Sequence, residues 1–316
     1  MFFFKQILTL TRIFERNSPF GLPVALSRSL LATSTLVTFL FNSSITLFPS
    51  NIQDTVPRSY IGSINLFHLF FHNNIFGLKL FSILILILVI SGWRPRITGI
   101  LHWWVSYTFF TMSDIIDGGD QINAILCFIL IPITLMDNRK NHWNFYDEAS
   151  SVSPYKNIFG NTLISMAGVQ MSYLYFQSLV EKLKIDQWVD GTSLYYWLTH
   201  NIFGAPEWIK IVILPFLQNS VTLLLITWTV LLIELLLFSA IFMSKSRKIK
   251  ILIIGISFHL CIALIHGLIS FFFSMSAGLL LYLLPSDRIY NILFTRMISK
   301  INVMIRRISL TRAFFI

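Results

Sequence analysis

Apolar residues in this chain fall into long runs separated by short polar stretches. Crossing about 30 Å of hydrocarbon takes roughly 20 residues at 1.5 Å each. Runs of that kind lie at about 24–42, 76–93, 97–113, 120–136, 157–180 and 216–243. The stretch from Ile251 to Leu284 is too long for one crossing and holds Gly267 and Ser270 near its middle. A tight helical hairpin there gives spans 251–266 and 268–284. The fold class this predicts is all-α: a polytopic membrane helix bundle of about eight transmembrane helices.

The ends read differently. Residues 1–16 read as an interfacial amphipathic helix, and no small-residue cleavage site follows them to make a signal peptide. Toward the C-terminus Ile289, Leu293, Met297, Ile301, Met304 and Ile308 recur at helical spacing, with Arg296, Lys300, Arg306 and Arg307 elsewhere. Such a basic amphipathic helix lies on an anionic leaflet. The expected division is an amphipathic segment 1–23, a transmembrane domain 24–284 and a basic helix 285–316.

Composition narrows the function classes. Only 12% of residues are charged and 55% are hydrophobic, with a mean hydropathy of +0.72; soluble domains carry about 25% charge. That argues against a soluble enzyme, a nucleic-acid-binding domain and a disordered chain. The net charge of +10 reflects topology instead. With the N-terminus inside, 19 of the 24 Lys and Arg residues fall on the inner side, leaving Arg58, Lys79, Lys182, Lys184 and Lys210 outside. This is the asymmetry of the positive-inside rule. An unbroken seventh span would weaken the split to 13 against 11. The expected location is the bacterial inner membrane, with both termini cytoplasmic and membrane lipids but no nucleic acid as partners. No internal repeat is visible, which weakens an inverted-repeat transporter reading. Cys127 and Cys261 lie inside apolar runs and read as buried structural thiols.

Ionisable groups inside a membrane are costly, so they become candidates for function. Glu234 stands in Leu-Leu-Ile-Glu-Leu-Leu-Leu, and two roles are open to it: a bond to a polar group on another helix, or proton handling and substrate binding. His259 and His266, seven apart, share a helical face. Without a cysteine or carboxylate nearby they make a poor metal site, and none is expected. His102, before Trp103 and Trp104, reads as packing or interface. Asp114, Asp117 and Asp120 with Gln121 surround two glycines at the start of the fourth span. They serve either to cap the helix or to floor a pocket. The segment 181–210 carries Lys182, Lys184, Trp188, Tyr195, Tyr196, Trp197 and His200, an aromatic loop that is either interfacial or a docking or catalytic surface. Ser-His-Asp, Walker A, dinucleotide and zinc-protease patterns are absent.

Several of these segments form an ordered set: Arg28-Ser29-Leu30-Leu31-Ala32, Ser91-Gly92-Trp93-Arg94-Pro95-Arg96, Leu101-His102-Trp103-Trp104-Val105-Ser106, Asp117-Gly118-Gly119-Asp120-Gln121 and Gly191 through His200. The set resembles the membrane B component of sporulation-delaying-protein toxin systems, over roughly residues 20–285. That family lies within the HTTM superfamily, which includes the vitamin K-dependent gamma-carboxylases. The resemblance implies a membrane factor that acts with a small A-component partner to mature a precursor peptide into a secreted antibacterial toxin. It also implies a quinone as a cofactor of the superfamily; the residues themselves name none. The carboxylases carry Lys-Leu-x-x-x-Trp-x-x-Gly, whose lysine is the active-site base. Here Lys182-Leu183 precedes Trp188 and Gly191 with four residues, not three, between Leu183 and the tryptophan, and Lys184 competes for the role. The carboxylases' large soluble domain has no counterpart in the residues after the eighth span, so carboxylation is not expected to carry over. Three classes stand: a maturation factor whose outer loops 114–121 and 181–210 receive the peptide through Asp117, Asp120, Gln121, Trp188, Tyr195, Tyr196 and His200, with Glu234 and His259 shaping the pocket beneath; a quinol-dependent carboxylating or oxidative enzyme with Lys182 as base; and a peptide exporter or immunity protein.

Overall fold

The computed structural model describes residue 8 and residues 11–48, 64–71, 74–145, 153–201, 204–286 and 290–300. Among these all regular structure is helical, and the one isolated backbone bridge joins Trp93 to Asn141. The principal helices are α1 (Leu22–Phe41), α2 (Ile75–Ile90), α3 (Pro95–Met112), α4 (Gly118–Met136) and α5 (Pro154–Leu183). Two short helices, α6 (Asp186–Val189) and α7 (Ser193–Thr199), lead to α8 (Glu207–Leu217), α9 (Ser220–Ser239), α10 (Lys245–His266) and α11 (Ile269–Leu283). Four are long and apolar enough to cross a membrane: α1, α4, α9 with the turn after it, and α10; α2 and α11 are shorter apolar helices. Much of the amphipathic stretches 1–16 and 286–312 lies outside the described residues, but 11–16 and 290–300 within them are helical.

The bundle is built around α11, which touches α1, α4, α5 and α10. Every residue from Ser274 to Leu283 is buried. A helix apolar all round belongs inside, and in lipid, where solvent drives no association, close packing of small residues takes over. Ser274, Ser276, Ala277 and Gly278 let α1 and α5 approach. Ser27 donates to the Ala277 carbonyl at 2.8 Å, and Ser274 to Ser34 Oγ at 2.8 Å. The hairpin expected before α11 is present: Gly267 ends α10 with φ +74°, a left-handed cap that a glycine adopts without strain.

Both described terminal segments pack at one end of the bundle. Asn157 and Asn161 at the start of α5 donate to the Glu15, Phe14 and Asn17 carbonyls. The Asn291 side chain accepts from the Leu22 amide at 2.8 Å, and Phe294 stacks on Trp143. Buried Arg28 ties this basic end together, reaching His142 Nδ1 at 2.8 Å and Thr98 Oγ1 at 3.0 Å. Cys127 is buried beside His102, 3.6 Å from Nε2, whereas Cys261 is exposed on the outward face of α10. The expectation of two buried thiols therefore fails at Cys261, because a fully apolar run does not reveal which face meets lipid.

Candidate functional site

At the opposite end, α5, α9 and α10 enclose a cavity of about 420 Å³ roofed by α6 and α7. That volume lies within the range of small-ligand sites. The α6–α7 roof is fixed by Gly191, whose φ of +82° presses its backbone onto Leu224 of α9. Thr192 locks the same turn through its amide and hydroxyl, both donating to Asp190 Oδ1 at 2.9 and 2.6 Å. Trp228 on α9 donates to the Val189 carbonyl at 3.3 Å.

Polar side chains from three helices line the cavity. On α5, Tyr175, Ser178 and Lys182 share one face at spacings of three and four. Lys182 Nζ donates to Glu234 Oε1 of α9 at 2.7 Å and to Ser178 Oγ at 2.6 Å. Ser178 donates to the same Glu234 oxygen at 3.0 Å. The Lys182 ammonium lies 5.4 Å from the Trp188 ring centroid. Glu234 is 5% exposed, so its charge is matched by a partner fixed on a neighbouring helix. On α10, His259 Nε2 is 2.8 Å from the Tyr175 hydroxyl, and His266 lines the cavity from the same face.

Of the five buried side-chain atoms without a partner among the described residues, two belong to residues that line this cavity. Glu234 Oε2 and His259 Nδ1 have no hydrogen-bond partner among the described residues. Buried polar atoms are nearly always satisfied, so a pair of orphans in one cavity marks where a ligand or water supplies what the protein does not. Leu174, Trp197, Val230, Phe258, Phe271 and Met275 make the remaining wall apolar.

The structure thus brings Lys182, Glu234, His259 and Trp188 together, and adds Ser178, Tyr175 and Trp197. The Tyr175–Ser178–Lys182 spacing was the available signal for the first two. Lys184, the competing lysine, is exposed and pairs with Glu181 at 2.7 Å. Tyr195, Tyr196 and His200 sit on or just after α7 outside the lining, with Tyr196 60% exposed. Asp117 and Asp120 form a reciprocal cap: Asp117 Oδ1 accepts from the Gly119 and Asp120 amides, and Asp120 Oδ2 from the Asp117 amide. Burial raises the Asp117 carboxyl above its ordinary range against those bonds. Gln121 lines a neighbouring depression of about 400 Å³ that shares Ser178, Phe271 and Met275 with the main cavity.

The HTTM domain matches this chain over residues 23–286. Two proteins of Bacillus subtilis (strain 168) are similar along most of their length. The uncharacterized protein YitO is 38% identical over 289 residues, 88% of this chain and 90% of its own. The sporulation-delaying protein SdpB is 34% identical over 282 residues, 89% of this chain and 87% of its own. No solved structure matches. Since the matched residues include every helix that builds the bundle and lines the cavity, the chain belongs to the HTTM domain family.

Proposed function

We propose that this protein is a multipass plasma-membrane factor that matures a secreted toxin peptide, and that the cavity under α6 and α7 receives a segment of that peptide. The similarity to the sporulation-delaying protein SdpB supports the process. The observation that carries the site is the pair of orphaned atoms, Glu234 Oε2 and His259 Nδ1, in an otherwise apolar and aromatic cavity. A peptide bond supplies both a donor and an acceptor, and apolar side chains suit the walls. In this reading α1–α5 and α9–α11 make eight crossings, both termini are cytoplasmic and the cavity faces outward. The 19 to 5 charge split and the shared position of the two described terminal segments support that orientation. The basic segment 285–316 then lies on the inner leaflet. A small A-component partner presents the precursor, with Trp188 and Gln121 as contacts, Tyr195, Tyr196 and His200 as an exposed lip, and the Asp117–Asp120 cap beside it.

One observation favours a second reading, an enzyme with Lys182 as base. Its half-buried amine is paired with a carboxylate that could carry a proton onward, and a lysine base in the carboxylases follows a similar pattern. Mass spectrometry of the candidate peptide separates the two. The peptide should mature only when this protein is present. Lys182→Arg, which keeps the charge and the pairing but removes a deprotonatable amine, should still support maturation. An identical mature peptide without the protein would overturn the first reading. Loss in Lys182→Arg at normal protein level, with retention in Lys184→Arg, would replace it by the second.

A further inference from the structure

A second cavity, of about 310 Å³, opens at the basic end of the bundle, where α5, α10 and α11 meet the N-terminal segment. Its charged lining is of one sign. Lys245 and Lys248 enter from the first turn of α10, and among the described residues no carboxylate lines it. Lys248 has no carboxylate partner among the described residues; its ammonium lies 5.8 Å from the Tyr282 ring centroid.

The backbone adds to this field. The N-terminus of α10 carries no acidic residue in its first turn. Ser244 at the cap makes no bond to the first-turn amides; its hydroxyl accepts from Arg247 Nε at 3.2 Å instead. Lys248 near the positive end of the α10 dipole is repelled by it, which an anion seated there would relieve. Other polar groups of the cavity are already engaged. Asn161 donates to the Phe14, Asn17 and Asn157 carbonyls, and the Tyr282 hydroxyl to the Leu237 and Phe238 carbonyls. The remaining wall is apolar, built by Ile164, Val169, Ile241 and Leu281.

A phosphate ion would use the cations and leave that wall idle. A phospholipid would use both. We infer that this cavity seats the phosphodiester headgroup of an anionic phospholipid on Lys248 and the α10 N-terminus, with the upper acyl chain along Val169 and Ile241. Basic pockets between transmembrane helices at a membrane face hold anionic headgroups by this logic. The site is distinct from the Lys182–Glu234 cavity and holds whatever the peptide chemistry proves to be.

The test uses the purified full chain in nanodiscs of phosphatidylcholine with and without phosphatidylglycerol. Native mass spectrometry counts retained lipid after release, and a thermal scan reads the stability gained. Wild type and Lys248→Arg should retain phosphatidylglycerol in preference to phosphatidylcholine and melt higher with it. Lys248→Gln should lose both effects while matching wild type in pure phosphatidylcholine, which shows that it folds. Val169→Trp keeps both lysines but fills the apolar wall, and should also lose the preference. Equal retention of the two lipids by wild type, or an undiminished preference in Val169→Trp and Lys248→Gln, would overturn the inference. Inorganic phosphate reproducing the full thermal shift would overturn the assignment to lipid.

Discussion

The ion pair between Lys182 and Glu234 makes a quantitative prediction. Their side chains are 23% and 6% exposed, and Nζ and Oε1 are 2.7 Å apart. Breaking a buried pair by removing one partner costs about 3–5 kcal/mol, because the survivor is left as an uncompensated charge. The two sides are not equivalent. Glu234→Leu leaves an ammonium that still reaches Ser178 and the cavity mouth, so its cost falls near about 2–3 kcal/mol. Lys182→Met leaves a carboxylate almost wholly buried, with Ser178 as its one donor and Oε2 without any, and should cost about 4–5 kcal/mol. Glu234→Gln keeps an acceptor for Ser178 but removes the countercharge, for about 1–3 kcal/mol.

The double variant Lys182→Met/Glu234→Leu removes both charges together. Replacing a buried pair by apolar residues is often neutral or better, so it should return to within about 1 kcal/mol of wild type. At roughly 2–4 °C per kcal/mol for a chain above 150 residues, the lysine variant melts about 8–20 °C low while the double variant recovers. Far-UV circular dichroism of detergent-solubilised protein during a thermal ramp measures this directly. A double variant as unstable as the sum of the singles would refute the reasoning, since the groups would then contribute independently.

Further expectations follow from other parts of the bundle. Burial, with the Arg28 and Arg139 charges behind it, holds the His142 imidazole down to about 2 against an ordinary 6.5. The unfolded chain therefore takes up a proton below pH 6.5 that the folded chain refuses, and stability falls by up to about 1.4 kcal/mol per pH unit toward pH 2. His142→Gln should flatten that decline when melting temperature is followed from neutral pH to about pH 5; an unchanged slope would place the acid sensitivity elsewhere. Gly191→Ala should lower both stability and peptide maturation, because a side chain there meets Leu224 in a left-handed conformation. Reporter fusions after Arg312 and within 139–145 should both read cytoplasmic, and one within 190–192 periplasmic; a periplasmic signal after Arg312 would remove the inside placement of both termini.

Much of the helical framework was legible in hydropathy alone, because in lipid the backbone must bond to itself and apolar length is therefore structure. The boundaries came from local chemistry. Pro95 opens α3, the Asp117–Asp120 cap opens α4, and Asn219, whose side chain accepts from the Thr222 amide at 3.0 Å, splits the run expected at 216–243. In the acidic cluster at 114–120, Asp117 and Asp120 cap α4 while Gly118 and Gln121 beside them line the neighbouring depression. Glu234 and His259 stood out because ionisable groups within apolar helices are costly. Ser178 and Tyr175 did not, being ordinary residues whose roles arise from partners on α9 and α10, with Tyr175 and His259 84 positions apart.

The location of the cavity follows from the same distinction between dry packing and polar pairing. In α1 and α4, 56% of the membrane-crossing window is buried; in α9 and α10 the figure is 28%. The first pair packs on α11 through small residues, with Ser27 and Ser34 of α1 bonded to Ala277 and Ser274 and Gly119 of α4 against Phe271. α9 packs closely on α5 and adds the Lys182–Glu234 pair, whereas α10 meets α5 chiefly through the long side chains of Tyr175 and His259, and the cavity lies between them. A cavity spanned by the Tyr175–His259 pair instead of a tight seam can be reshaped by small movements of α10 while the α1–α4–α11 core stays fixed. Substitutions that break a pair while keeping its volume, such as Tyr175→Phe, should therefore alter what the cavity admits before they unfold the bundle. Peptide maturation falling at wild-type melting temperature would bear this out, and a parallel fall of both would show that the pairs are part of the core.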